Sequence, residues 1–375
     1  MIATRILRRA RILIVGCGDV GLRCAAQLQA RRSRPRVFAL TRRAERSDLL
    51  RAAGAVPVLG DLDQRARLSR LAGLAGTVLH LAPPQKDGDD DLRTRRLIAA
   101  LKTRRQPASR VSRAGRSGLA SRLLRRASSG RSHPPSHPLA LPPAHPASRP
   151  FSTPKPSTIV PERTWRARRA QAGATSRPTL VYASTTGVYG DCGGARIDET
   201  RTPRPANARA KRRVAAERQL RRATARGALK ATIARIPGIY ARTRLPLARL
   251  EKRTPALAAD DDVYTSHIHA DDLAAILLRM ASHGKAGRIV HASDDSELKM
   301  GEYFDRVADA FGLERAPRVS REVAERELDP VLLSFMRESR RLDNTRLTRE
   351  LRVRLRYPDV DAFLDGSVRT QPPGP

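Results

Sequence analysis

The sequence predicts an α/β fold with a doubly wound parallel sheet, a smaller C-terminal lobe and a long disordered insert. Three observations carry this expectation. Runs of β-formers at 12–15, 37–41, 56–59, 77–81, 179–183 and 231–236 alternate with stretches of helical period, which implies parallel pairing through right-handed crossovers. A glycine-rich turn, Gly16-Cys17-Gly18-Asp19-Val20-Gly21, stands between the first run and the first helix. From 102 to 178, by contrast, Arg, Ser and Pro crowd a segment with no sustained period.

The first run, ILIV, ends in that turn, and Val20, Cys24 and Leu28 then recur at the four-residue spacing of a helix. Gly16 suits a tight turn, Gly18 lets a pyrophosphate approach the main chain, and Gly21 lets helix and strand pack closely. Backbone N–H groups of the first helical turn, at Asp19, Val20 and Gly21, would favour phosphate there. The ligand expected is a dinucleotide; the bland reading is an ordinary strand-to-helix turn. The second run ends in Thr41-Arg42-Arg43, where many such sites carry a carboxylate for the ribose hydroxyls. A carboxylate would repel a 2′-phosphate, whereas guanidinium groups can bond it in pairs. NADP(H) is therefore favoured, with NAD(H) as the alternative and a solvated loop as the bland reading.

A short helix over 47–53 stops at Gly54, and the third run leads into Gly60-Asp61-Leu62-Asp63. Asp61, with Leu62, would lie beside the adenine, or Asp61 would cap a helix over 64–74. The fourth run leads through Leu81 into Ala82-Pro83, small residues suited to a loop under a cofactor. Residues 89–101 place acids first and arginines later, the charge order that complements a helix dipole.

The net charge of +36 invites a nucleic-acid reading, but 17 Lys or Arg against one Glu fall between 102 and 177. Aromatic residues are only 3% of the chain, too few for base-stacking platforms. Nucleic-acid binding is therefore expected only through the insert, if at all. That segment cannot bury enough apolar surface to fold, and lengthening a loop about eightfold adds only about 2 kcal/mol of closure entropy. Its His133, His137 and His145 sit among prolines without a frame for a metal. The 3 cysteines, Cys17, Cys24 and Cys192, have no metal-ligand spacing and suit a reducing compartment. No run reaches the roughly 18 apolar residues of a membrane span, so a cytoplasmic protein, compatible with a homodimer, is expected.

The second half supports a family resemblance. STTGVYG at 184–190, IDET at 197–200, RIPGIYA at 235–241 and YTSHIHADDLAAILL at 264–278 resemble segments of extended short-chain dehydrogenases/reductases, the NAD-dependent epimerase/dehydratase group. SRRLDNTRLTREL at 339–351 is similar to the tail of an atypical branch of it. The resemblance covers about 300 residues, everything except the insert. It implies that Thr185 hydrogen-bonds a substrate oxygen, that Lys211 binds the nicotinamide ribose, and that Pro237, Gly238 and Ile239 lie against the nicotinamide. The tyrosine of the group's Tyr-x-x-x-Lys motif is missing; Asn207 stands there, and an amide cannot shuttle a proton as a phenol can. Tyr189 and Tyr240 are the candidate substitutes. His267, His269, Asp271 and Asp272 invite a metal reading, but two acids opening a helix and a locally bonded histidine account for them.

A Rossmann domain is thus expected over 1–101 and 179–240, the substrate lobe over 241–366 with 266–292 returning to the sheet, and a tail over 367–375. The expected function is an oxidoreductase or epimerase-like protein acting on a small carbonyl or sugar-nucleotide substrate. The alternative is a catalytically impaired dinucleotide sensor, to which the missing tyrosine points.

Overall fold

In the computed structural model of the chain, residues 9–102 and 177–369 are described. The insert and its three histidines therefore lie outside the described residues, apart from Lys102, which closes a helix, and Arg177-Pro178, which lead into a strand.

Each apolar run feeds two cores, because successive side chains of a strand point to opposite faces. Leu13 and Val15 join one buried cluster while Ile14, between them, joins the other. Leu180 and Tyr182 likewise face away from Val181 and Ala183. Both faces of the sheet must then be covered, which is why the strands are apolar along their length. The seven strands are β1 (Arg11–Val15), β2 (Arg36–Thr41), β3 (Ala55–Leu59), β4 (Thr77–His80), β5 (Thr179–Thr185), β6 (Lys230–Ile236) and β7 (Ile289–His291). They pair in the order β7-β6-β5-β4-β1-β2-β3, every neighbour parallel. The order reverses between β1 and β4, and a doubly wound sheet opens its ligand crevice at that point.

Helices α1 (Asp19–Gln29) and, later in the chain, Ala270–His283 cover one face through Cys24, Leu28, Ala274 and Leu277. The other face is covered by α3 (Leu92–Lys102) and α4 (Ala208–Ala225) through Leu97, Ile98, Ala216 and Leu220. Here α2 is the short helix Ser47–Ala52, whose Leu50 packs with the α1 side. The helix Ala270–His283 is α5, and α6 (Met300–Phe311) and α7 (Val360–Arg369) follow it. A third cluster joins Tyr303, Phe304 and Val307 of α6 to Val360, Phe363 and Leu364 of α7, with Tyr240 and Leu250.

Two expected helices differ in detail. Instead of an α-helix over 64–74, the chain makes a 3-10 stretch, Arg65–Leu71. Three residues per turn bring Leu68 and Leu71 to the same side, and both are buried. Helix α3 begins at Leu92, not 89, because Asp91 takes the capping position: its carboxylate accepts the Thr94 N–H at 2.9 Å and the Thr94 hydroxyl at 2.8 Å. Among the described residues no helix is long and apolar enough to cross a membrane.

Candidate functional site

The glycine turn at the C-terminal end of β1 meets each of its three steric demands. Gly16 has φ +86°, and a Cβ there would lie 2.4 Å from the Ala82 nitrogen, so the loop after β4 can close over the turn only if this position has no side chain. A Cβ on Gly21 would meet Cys17 Sγ at 3.2 Å and the Gly16 carbonyl at 3.3 Å, which is where α1 packs onto its own strand. A Cβ on Gly18 would meet nothing within 4 Å. Gly18 thus faces open space at the N-terminus of α1, with its own N–H donated to the Gly16 carbonyl at 2.9 Å.

That space is a cavity of about 440 Å³ lined by Gly16, Gly18, Arg42, Arg43, Asp61, Leu62, Leu81, Ala82 and Pro83. Asp19, Val20 and Gly21 form the first turn of α1 and do not line it. The Asp19 carboxylate is engaged by Arg23 at 3.0 Å and Arg244 at 2.9 Å. Asp61 does not cap a helix; its carboxylate accepts the Asp63 N–H at 2.9 Å within its own loop. Two lining arginines were not singled out from the sequence. Arg46 reaches across to donate to the Cys17 carbonyl at 3.1 Å, and Arg93 ties Asp63 (2.6 Å) to the Pro83 carbonyl (3.1 Å). A cradle that only an absent Cβ keeps open, at a helix N-terminus and among guanidinium groups, fits a dinucleotide.

A second cavity of about 440 Å³ lies beyond the C-terminal ends of β5 and β6 and holds Thr185, Asn207, Pro237, Gly238 and Ile239. The Thr185 hydroxyl, at the end of β5, accepts the Gly187 N–H at 3.3 Å. Asn207 caps α4, its side-chain oxygen accepting the Ala210 N–H at 2.9 Å, and its amide nitrogen donates to Glu338 at 3.5 Å. Glu338 is in turn held by Arg340 at 2.9 Å. Lys211 lies elsewhere: it is exposed and lines neither cavity. The cations that α4 brings to the cavity wall are Arg209 and Arg213, because two residues along a helix is a rotation of about 200°.

Neither candidate tyrosine has a free phenol. Tyr240 lines the second cavity but donates to the Asp359 carbonyl at 3.2 Å. Tyr189 is buried against His291 Nε2 at 2.5 Å and does not line it, and burial pushes its phenol up to about 12. His269 caps α5 by accepting the Asp271 N–H at 3.2 Å, while the Asp272 carboxylate accepts the N–H groups of Arg356 and Tyr357. Cys17 packs in the turn and Cys24 on the buried face of α1, their thiols pushed up to about 11 and about 12 by burial.

What holds β5, β6 and α4 in register is a buried ion pair that the sequence reading missed. Arg235 of β6 is wholly buried and bonds Glu217 of α4 through Nε (3.2 Å) and Nη2 (2.7 Å). Ser184, beside Thr185, donates to the same carboxylate at 2.6 Å. An arginine inside the apolar strand sequence ATIARI was the available signal, since buried charges are paired.

Burial also sets an acid lability. It lowers His80 to about 3, and His267 and His291 to about 4, so all three are neutral in the folded chain. Below about pH 6.5 the unfolded chain takes up protons that the folded chain refuses. Their contribution is complete above that pH and is lost as the pH falls toward 4 and 3, by about 1.4 kcal/mol per histidine per pH unit. Asp294, pushed up by burial to about 7, acts in the opposite sense, since the folded chain keeps a proton that the unfolded one releases above about pH 3.8. Burial lowers His269 as well and raises Glu199 and Asp262, so four histidines oppose three acids, and the histidines with the largest shifts set the sign: the urea midpoint is expected to fall from pH 6.5 to pH 4.5. A midpoint constant over that range would contradict the burial of these histidines.

Glycine turn, switch point and parallel sheet define a doubly wound, Rossmann-like fold with a cavity on either side of the switch point. Residues 165–292 match the model of the NAD dependent epimerase/dehydratase family, the group whose segments the motifs of the second half resemble. A conserved protein of unknown function from Silicibacter pomeroyi shares the fold at a TM-score of 0.63 and 22% identity, covering 96% of this chain and 98% of that one. A dTDP-glucose 4,6-dehydratase from Streptomyces venezuelae, solved with NAD and TYD bound, superposes at 0.62 with 18% identity, covering 96% of each chain. A UDP-N-acetylglucosamine 4-epimerase from Bacillus cereus superposes at 0.58 with 12% identity, covering 96% of this chain and 98% of that one. No curated protein matches the sequence.

Proposed function

We propose that the chain binds NADP(H) in preference to NAD(H) at the glycine turn and acts as an oxidoreductase or epimerase-like enzyme on a small carbonyl or sugar-nucleotide substrate in the second cavity. The observation that carries the cofactor reading is the set Arg42, Arg43 and Arg46 lining the first cavity at the end of β2, where a carboxylate for the ribose would otherwise stand. The bound nicotinamide would supply hydride chemistry at its C4. Thr185 would hold a substrate oxygen at the end of β5, and Pro237, Gly238 and Ile239 would wall the ring. The dehydratase neighbour of the same fold was solved with NAD and TYD bound, which supports a dinucleotide and a second ligand as the occupants of such a fold.

A second reading, a dinucleotide-binding sensor, is favoured by one observation. Asn207 cannot transfer a proton and is engaged in capping α4, and both candidate tyrosines bond elsewhere. Loss of general acid-base assistance costs roughly 10²–10⁴ in rate.

Isothermal titration tests the shared cofactor claim. NADPH is expected to bind at least about tenfold more tightly than NADH, the worth of one charge-assisted contact to the 2′-phosphate. Arg42→Ala with Arg43→Ala should erase most of that difference and leave NADH binding alone. Equal affinities in the unaltered chain would remove the role given to these arginines.

A further inference from the structure

Of the two α4 cations on the wall of the second cavity, Arg209 and Arg213, Arg213 is the one tied to the central sheet. Its Nη1 donates to the Ala183 carbonyl at 2.6 Å and to the Tyr182 hydroxyl at 3.2 Å, and its guanidinium lies 5.6 Å from the Tyr182 ring centroid. The side chain is thereby fixed at the mouth of β5, half-buried, on the wall of the second cavity with Thr185, Asn207 and Pro237. Among the described residues no carboxylate stands within ion-pair distance of it, since Glu217, one turn further on, is taken by Arg235 and Ser184. A guanidinium carries five N–H donors, and the two protein acceptors use only one of its nitrogens. The unused donors sit on the cavity wall, where a ligand with acceptor oxygens can reach them.

In a doubly wound sheet a bound dinucleotide crosses the switch point. With its adenosine end in the cavity over β1 to β3, its other end reaches the cavity over β5 and β6, bringing ribose hydroxyls and phosphate oxygens. Resting on the cofactor reading above, we propose that Arg213, and not Lys211, is the cation that positions the nicotinamide-ribose half of the dinucleotide. Anchored to β5 through one nitrogen, it presents the remaining donors to the cavity, as a fork that a lysine could not reproduce. Lys211, exposed on another side of α4, takes no part.

The test uses the full chain and two probes: NADPH, which spans both cavities, and 2′,5′-ADP, which fills only the adenosine end. Arg213→Gln is expected to weaken NADPH by about tenfold or more, the worth of a lost charge-assisted hydrogen bond, with 2′,5′-ADP unchanged. The enhancement of nicotinamide fluorescence on binding should fall with it. Lys211→Gln should change neither probe, and Arg213→Lys should recover part of the NADPH loss. If Arg213→Gln binds NADPH like the unaltered chain, or if it weakens both probes in the same proportion, the proposal is overturned, the second result marking a merely structural residue. Should Arg213→Gln fail to fold, Arg213→Lys decides: the proposal requires a loss for NADPH alone. Failure of the unaltered chain to bind either probe overturns the cofactor reading itself, an outcome distinct from the others.

Discussion

Gly18→Asp is expected to reduce NADPH binding by at least about a hundredfold, roughly 3 kcal/mol, while leaving the chain as stable as before. Position 18 is the N-cap of α1 and has no side-chain cap. Aspartate is among the best residues there, so the helix gains a few tenths of a kcal/mol. A Cβ meets nothing within 4 Å, so no packing is lost. The added carboxylate, however, projects into the space left for a pyrophosphate and repels it. Gly16→Ala should do the opposite kind of damage. At φ +86° the new Cβ is strained, and at 2.4 Å from the Ala82 nitrogen it must push the backbone of the loop after β4. Left-handed strain and overpacking together amount to on the order of 3 kcal/mol. Urea titration of both variants, with NADPH calorimetry, separates the two effects; a stable Gly16→Ala would refute the close approach of the Ala82 loop.

Glu217→Ala should be the most destabilising single change near the second cavity, by about 3–5 kcal/mol. It leaves Arg235, which is wholly buried, without its counter-charge and removes the acceptor of the Ser184 hydroxyl. The double variant Glu217→Leu with Arg235→Met should regain most of the loss, because it removes both charges instead of stranding one. A double-mutant cycle reads the coupling directly. NADPH binding in the double variant is expected to remain weakened, since the pair sets the rotation of the helix that carries Asn207 and Arg213. A cost below about 1 kcal/mol for Glu217→Ala would mean that Arg235 finds another partner or reaches water.

Features that depend on neighbouring residues were legible without a structure. Strand, turn and helix at 12–28 follow from a run of β-formers, three glycines and a four-residue spacing, and the roles of Gly16, Gly18 and Gly21 in backbone angle, open space and close packing all match the geometry. The local hydrogen bonding of His269 and the placement of Asp271 and Asp272 at a helix start were legible for the same reason, while the form of that bond, a cap on α5, came from the structure. Boundaries were less so where a side chain outside the period decided them, as Asp91 does for α3.

The site was legible in part. Arg42 and Arg43 could be read from their place after β2, but Arg46 and Arg93 could not, because their approach to the Cys17 and Pro83 carbonyls depends on how separate loops fold together. Helix α4 shows the limit most plainly. Its sequence, ARAKRRVAAERQLRRATA, spreads cations around the helix, so no apolar stripe announces which side turns inward. Sequence alone determined the doubly wound sheet and the glycine cradle, since both are written in local spacing. Tertiary structure decided which α4 cations meet the cavity, Arg209 and Arg213 and not Lys211. That choice belongs to a buried ion pair between Glu217 and Arg235, partners whose meeting depends on how α4 lies across the sheet.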